Sequence, residues 1–259
     1  MNTVAITSTD AHASRLNLRA YLLETRNEFL RLLRSPSFAV PTLVFPPMFY
    51  VLFAVLLNHG GGPRVATYML ATYTVFGVMA PGLFGFGVAI AMDRERGFLD
   101  LKRAMPVPPG ALLGARMAMA MAFAAVISLT LMVIGSVFGG VALSPLQAVA
   151  LFTVDVLGVL PFCAIGLYVG SRVSGQGAPA VVNMIYLPMA FLAGLWMPLS
   201  MLPSFIARMA PAWPAHHLAQ IALSAVGAPN DGRTLLHVAV LAGFAVVFFA
   251  LAQRRLARG

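Results

Sequence analysis

Apolar stretches of about 20 residues, enough to carry an α-helix across the hydrocarbon core of a bilayer, recur along this chain with only short polar breaks between them. Few folds accommodate such a pattern. In lipid every backbone N–H and C=O must be satisfied internally, so runs of this length become helices packed on one another. A chain of 259 residues holds roughly six of them with short connections and little else. The spacing predicts spans near residues 37–57, 66–92, 111–138, 146–170, 178–197 and 234–253. Pro41, Pro46 and Pro47 lie inside the first, where a kink is expected, and Pro81 with Gly82, Gly85 and Gly87 is expected to break or thin the second. Composition agrees: with 60% hydrophobic and 10% charged residues and a mean hydropathy of +0.87, the chain is too apolar for a soluble globular domain. The expected fold class is all-α, a polytopic membrane protein with six transmembrane helices.

The segments outside the spans carry the rest of the information. Residues 1–14 are small and polar, without the basic start and apolar region of a cleavable signal peptide. From Arg15 to Arg34, Leu18, Leu22, Phe29 and Leu33 fall near one side of a helix, with Arg19, Glu24, Arg26, Glu28 and Arg31 mostly elsewhere. This predicts a basic amphipathic helix lying in the membrane interface, so that residues 1–35 form a tail and interface helix and 36–259 a six-span transmembrane domain. Between the fifth and sixth spans, residues 198–233 are neither a span nor a polar loop. Pro198, Leu202, Pro203 and Pro214, with Trp196 and Trp213 nearby, mark an outer re-entrant or interfacial hairpin.

Charge is concentrated in one place. Between Asp93 and Arg116 stand Asp93, Arg94, Glu95, Arg96, Asp100, Lys102, Arg103 and Arg116, between two apolar runs. The basic residues also set the orientation. With the N-terminus inside, Arg15, Arg19, Arg26, Arg31, Arg34, Arg94, Arg96, Lys102, Arg103, Arg116, Arg172, Arg254, Arg255 and Arg258 are cytoplasmic, and only Arg64, Arg208 and Arg233 are outside. That asymmetry places both termini in the cytoplasm and explains the net charge of +9 without nucleic acid. No basic stripe with interleaved aromatics, as used on single strands, is present.

Polar residues inside the spans are candidate functional groups by default. Asp155 in the fourth span, Asn183 in the fifth and His237 near the outer end of the sixth form a candidate intramembrane polar site. Asp155 either contacts a substrate or proton, serves as a structural interhelical pair, or snorkels to the outer interface, with His237 as its prospective partner. Asn183 reads as interhelical glue, and Gly135-x-x-x-Gly139 and Gly166-x-x-x-Gly170 as small-residue packing faces. The adjacent His216 and His217 diverge on a helix and have no nearby Cys, Asp or Glu in sequence, so no metal is expected. Cys163 stands alone and forms no internal disulfide. No catalytic residue is expected: nucleophile-elbow and His-Glu-x-x-His patterns are absent.

Two segments carry a resemblance. Arg94-Glu95-Arg96-Gly97, Leu99, Leu101, Pro106-Val107 and Leu112-Leu113-Gly114 resemble the cytoplasmic segment joining spans two and three in the type-2 ABC export permeases. Pro198-Leu199-Ser200-Met201-Leu202-Pro203, followed by Pro211 and Pro214, is similar to that family's segment before the last span. Phe98 stands where Thr is usual, Pro108 where Ser is common and Arg116 where Lys is found. The resemblance implies a permease subunit of the bacterial inner membrane, with ATP and Mg bound not by this chain but by a separate ABC ATPase subunit. It also implies a second permease subunit, identical or different, and export or efflux as the activity.

The residues themselves support that separation. The only lysine, Lys102, is followed by Arg103 and lacks the glycines of a phosphate-binding loop. Asp93, Arg94, Glu95, Arg96, Gly97, Leu99, Asp100, Leu101 and Pro106 are the expected ATPase-coupling residues, their charges meeting complementary ones while Leu99 and Leu101 anchor the segment. Gly97 is expected to allow close backbone approach. A self-sufficient secondary transporter or channel, using Asp155 for ion coupling, is the alternative.

Overall fold

A computed structural model describes residues 21–58, 60–98 and 111–256, which form helices joined by short turns and loops, with no strand among them. Helix α1 covers 21–33. Helix α2 (Pro36–Tyr50) continues as a π-helical turn, Val51–Leu56. Helix α3 (Gly62–Ala80) passes through a π-helical stretch, Pro81–Val88, into α4 (Ala89–Glu95). Then come α5 (Ala111–Phe138), α6 (Pro145–Gly170) and α7 (Ala178–Leu192), the short α8 (Ser204–Met209), α9 (Pro214–Ala225) and α10 (Thr234–Leu256). The N-terminal tail through residue 20, and Leu99, Asp100, Leu101 and Pro106 of the expected coupling segment, lie outside the described residues.

Among the described residues five helices are long and apolar enough to cross a membrane: Pro36–Leu56, Gly62–Glu95, Leu112–Phe138, Pro145–Gly170 and Thr234–Arg255. The apolar helix expected over 178–197 is shorter, 15 residues. Its end is local. Gly194 takes φ 77°, Leu195 N–H returns to Ala190 O (3.0 Å) and Gly194 N–H to Phe191 O (3.0 Å), a glycine C-cap that closes the helix whatever the hydropathy beyond it.

The break expected at Pro81 does not occur. Neither Pro41, Pro46 and Pro47 nor Pro81 interrupts its helix; in each case a π-helical turn follows. A proline lacks an N–H and crowds the carbonyl four residues back, and a widened turn accommodates both effects. The result is an unbroken helix of 34 residues, Gly62–Glu95. At ~1.5 Å per residue it is about 50 Å long, against ~30 Å of hydrocarbon. Its charged end therefore reaches past the apolar layer.

This long helix is the axis of the fold and is buried along most of its length, whereas α10 is largely exposed at the periphery. Contact between the π-helical stretch and α6 depends on glycine. A Cβ at Gly166 would meet Gly82 O at 2.6 Å, and one at Gly170 would meet Gly87 O at 2.3 Å. Only hydrogen fits between those backbones, so the small-residue face over 166–170 packs on the second span. Gly135 and Gly139 receive Tyr50 instead, whose hydroxyl donates to Ala66 O at 3.3 Å.

Helix α6 starts at a capping box: Gln147 N–H donates to Ser144 Oγ (3.3 Å) while Ser144 N–H donates to Gln147 Oε1 (2.9 Å). Gln147 Nε2 also donates to Val226 O at 3.0 Å, seating the end of α9 at the start of α6. Arg94 bonds the carbonyls just beyond the other end of α6. The segment before the last span and the Asp93 segment thus occupy opposite ends of the bundle.

Candidate functional site

Three helices converge on one guanidinium. Arg116, one and a half turns into α5, has no exposed surface. It forms an ion pair with Asp93 Oδ2 from α4, and its Nη2 donates to Glu28 Oε1 of α1 at 3.4 Å. Arg31 binds Glu28 Oε2 at 2.7 Å and stands 3.9 Å from Asp93 Oδ1. Asp93 and Glu28 are themselves only 5% and 6% exposed, so two carboxylates and one buried cation share a site from which water is nearly excluded. Charges buried in this way require partners on all sides, because removing any one leaves the others uncompensated. Aromatic packing reinforces the joint: Phe29 of α1 and Phe38 of α2 lie against Phe123 of α5, with ring centroids 4.7 and 5.4 Å away.

The next two residues point elsewhere. Arg94 donates to Ser171 O and, at 2.8 Å, to Val173 O; Gly175 N–H donates to Glu95 Oε2 at 2.8 Å. Together they fasten the end of α4 to the loop between α6 and α7. Arg96, Gly97 and Phe98 are exposed. Gly97 has φ 70°, and nothing lies within 4 Å of a Cβ built there. Within this chain the glycine is required by its left-handed backbone at the end of α4, not by a close approach.

Asp155 is fully buried on α6 and accepts a 2.6 Å hydrogen bond from Ser128 Oγ of α5. The expected meeting with His237 does not occur: His237 bonds Asp231 and His217 instead. The reason is the path of the chain, since the loop before α10 brings Asp231 back to the start of the last span. Asn183 is exposed on α7, so within this chain it glues no helices together.

The sequence profile of the family described as "ABC-2 family transporter protein" matches residues 34–254, nearly the whole chain. The chain belongs to this family. This ABC-2 permease is also 26% identical over 231 residues to the Bacillus subtilis (strain 168) protein named "Putative transport permease YvfS", a match covering 87% of this chain and 92% of that protein. It is therefore a multi-pass membrane transport permease.

The segment before the last span of this ABC-2 permease is compact. Pro198 and Pro203, with ψ near 140°, lead into the short helices Leu199–Met201 and α8; Leu202 is extended between them, and Pro214 occupies the first turn of α9. Most of α9 is buried: Leu218 occupies the space a Cβ at Gly158 would need, 2.5 Å away. Burial and the neighbouring rings of His217 and His237 push the His216 imidazole down to about 4, and burial lowers His217 as well.

Sequence reasoning singled out Asp93 but not its partners Glu28 and Arg116. The signal was present: an arginine inside an apolar run, Leu112 to Phe123, is costly unless a carboxylate meets it. Which of the acids would do so depends on how the helices pack.

Proposed function

We propose that this chain is the membrane-spanning half of an ATP-driven exporter, and that the segment 93–106 receives the stroke of a separate ABC ATPase subunit. The observation that carries this reading is the buried Asp93–Arg116–Glu28 cluster. It ties the charged end of the long second helix to the start of the third span and to the N-terminal helix, so a displacement of that end is passed to both at once. Arg96, Gly97 and Phe98 remain exposed beside it as a surface for the ATPase.

In this reading Ala178–Leu192 is the fifth crossing in chain order, helped by the short apolar turn that follows it, and brings the total to six. An even number of crossings returns both termini to the cytoplasmic face of the bacterial inner membrane, in keeping with the distribution of arginine. The 21–33 helix lies at the inner interface, and 198–233 is an outer hairpin. A second permease subunit completes the path, and ATP with Mg is held by the ATPase.

Co-purification tests the reading. The tagged chain is extracted gently from its own membranes, as wild type and as a Glu95→Arg, Gly97→Trp double variant. An ABC ATPase retained by wild type and lost from a folded variant is the expected result. Absence of any ATPase under conditions that preserve other membrane complexes would overturn it.

A further inference from the structure

At the end of the bundle away from Asp93, α9 and α10 are joined by a relay of hydrogen bonds that transport as proposed above does not use. His217 Nε2 lies 2.8 Å from Pro211 O, His217 Nδ1 lies 2.7 Å from His237 Nδ1, and His237 Nε2 lies 2.8 Å from Asp231 Oδ1. Both rings are buried. These distances fix the proton count. A carbonyl oxygen only accepts, so His217 Nε2 carries a proton. The contact between the two Nδ1 atoms holds one proton, because with none two lone pairs face each other and with two the N–H groups collide. Ionised Asp231 also only accepts, so His237 Nε2 carries a proton too. The two rings then hold three protons, one more than two neutral imidazoles, and the single positive charge is balanced by Asp231.

We infer that His217, His237 and Asp231 form a proton-gated latch, which holds the hairpin helix α9 against the last span while the pair shares one proton and releases it when a second proton is taken up. The surrounding groups set its range. His216, on the same helix, stands 5.6 and 6.0 Å from the other two rings, so a charge on it would oppose theirs. From the loop, Arg233 N–H donates to Asp231 Oδ1 (3.0 Å), the Arg233 charge also favours the carboxylate, and Asp231 N–H is held by Gln220 Oε1 (3.1 Å). Helices α3 and α6 pack on α9 as well. Of their ionisable groups, Asp155 is taken by Ser128, Tyr73 donates to Trp196 O, Tyr68 is half-buried, Arg64 is exposed, Cys163 is a buried thiol and Tyr168 packs against Phe248. A second proton would put two positive charges on buried rings whose centroids are 5.0 Å apart, so it enters only in acid. Protonation then places two N–H groups where one shared proton had been, and the contact breaks.

The test uses the full chain in nanodiscs, labelled with ¹⁵N-histidine, and follows imidazole shifts and hydrogen exchange of 214–225 between pH 7.5 and 4.5. The expected result is a coupled pair with one shared proton near neutrality and, after correction for intrinsic exchange, protection of 214–225 falling about tenfold or more in acid as the second proton binds. Asp231→Asn, which removes the counter-charge, lowers the pH at which the pair becomes neutral by about 1 unit or more. His217→Gln and His237→Gln assign the signals; if either fails to fold, the wild-type exchange profile decides alone. Two histidines titrating independently, or protection of 214–225 unchanged across the range, would overturn the latch.

Discussion

Arg116 and Asp93, 23 positions apart and on different helices, form an ion pair that is almost wholly buried. Glu28 completes it from a third helix. Burying a charge pair seldom adds stability over apolar packing of the same volume, but breaking one is expensive. The cluster therefore acts as a specification of how three elements meet, and its members should not be separable.

Arg116→Met should destabilise the protein by about 3–5 kcal/mol, because buried Asp93 loses its close cation and Glu28 one of its two, with only the half-exposed Arg31 remaining beside them. Thermal unfolding in a mild detergent measures this. Adding Asp93→Asn and Glu28→Gln to Arg116→Met should recover much of the loss; no recovery would mean that the arginine acts through its packing alone.

Glycines at the contact between the second helix and α6 are predicted to be intolerant for a different reason. Gly166→Leu or Gly170→Leu requires the backbones of two spans to move apart, and folded, monodisperse protein should be lost on size-exclusion chromatography. Gly97→Ala, in open space but at φ 70°, should cost only about 1–2 kcal/mol of local backbone strain and leave the fold intact.

Ser128 and Asp155 are predicted to behave as one unit. Ser128→Ala leaves a buried carboxylate without its 2.6 Å donor, and the single change should cost about 1–3 kcal/mol. Combining it with Asp155→Leu should cost less than the sum of the two single changes, since both polar partners then leave together. If Asp155→Asn keeps the fold but abolishes ATPase-dependent transport, the residue has a role beyond structure.

The His216 imidazole predicts the direction of a pH effect. Its value in the folded protein, about 4, lies below the 6.5 of a free histidine, so the unfolded chain binds the extra proton between these limits. The stability it contributes is complete above about pH 6.5 and is lost as pH falls towards about 4. Melting temperature followed from pH 7.5 to 4.5 should decline, and His216→Leu should flatten that decline.

Much of this architecture was legible from residue order. The apolar runs marked α5, α6 and α10, because hydropathy is a property of near neighbours in sequence. The charged stretch after the second span, with the two family-like segments, led to the ABC-2 assignment that residues 34–254 bear out. The break expected at Pro81 is absent, since sequence alone does not reveal whether a helix breaks or widens. There α6 lies alongside, and its glycines let the π-helical backbone approach closely.

The sequence by itself therefore determined that this is a helical membrane protein, roughly where its long helices begin and end, and which stretch is densest in charge. The tertiary structure alone decided the pairings: Arg116 with Asp93 and Glu28, Asp155 with Ser128 and not His237, and His237 with His217 and Asp231. Hydropathy depends on each residue and its near neighbours, and can be read along the chain. A buried charge or imidazole must be matched by whichever polar group the packing of distant helices brings within about 3 Å, and that distance exists only once the chain has folded.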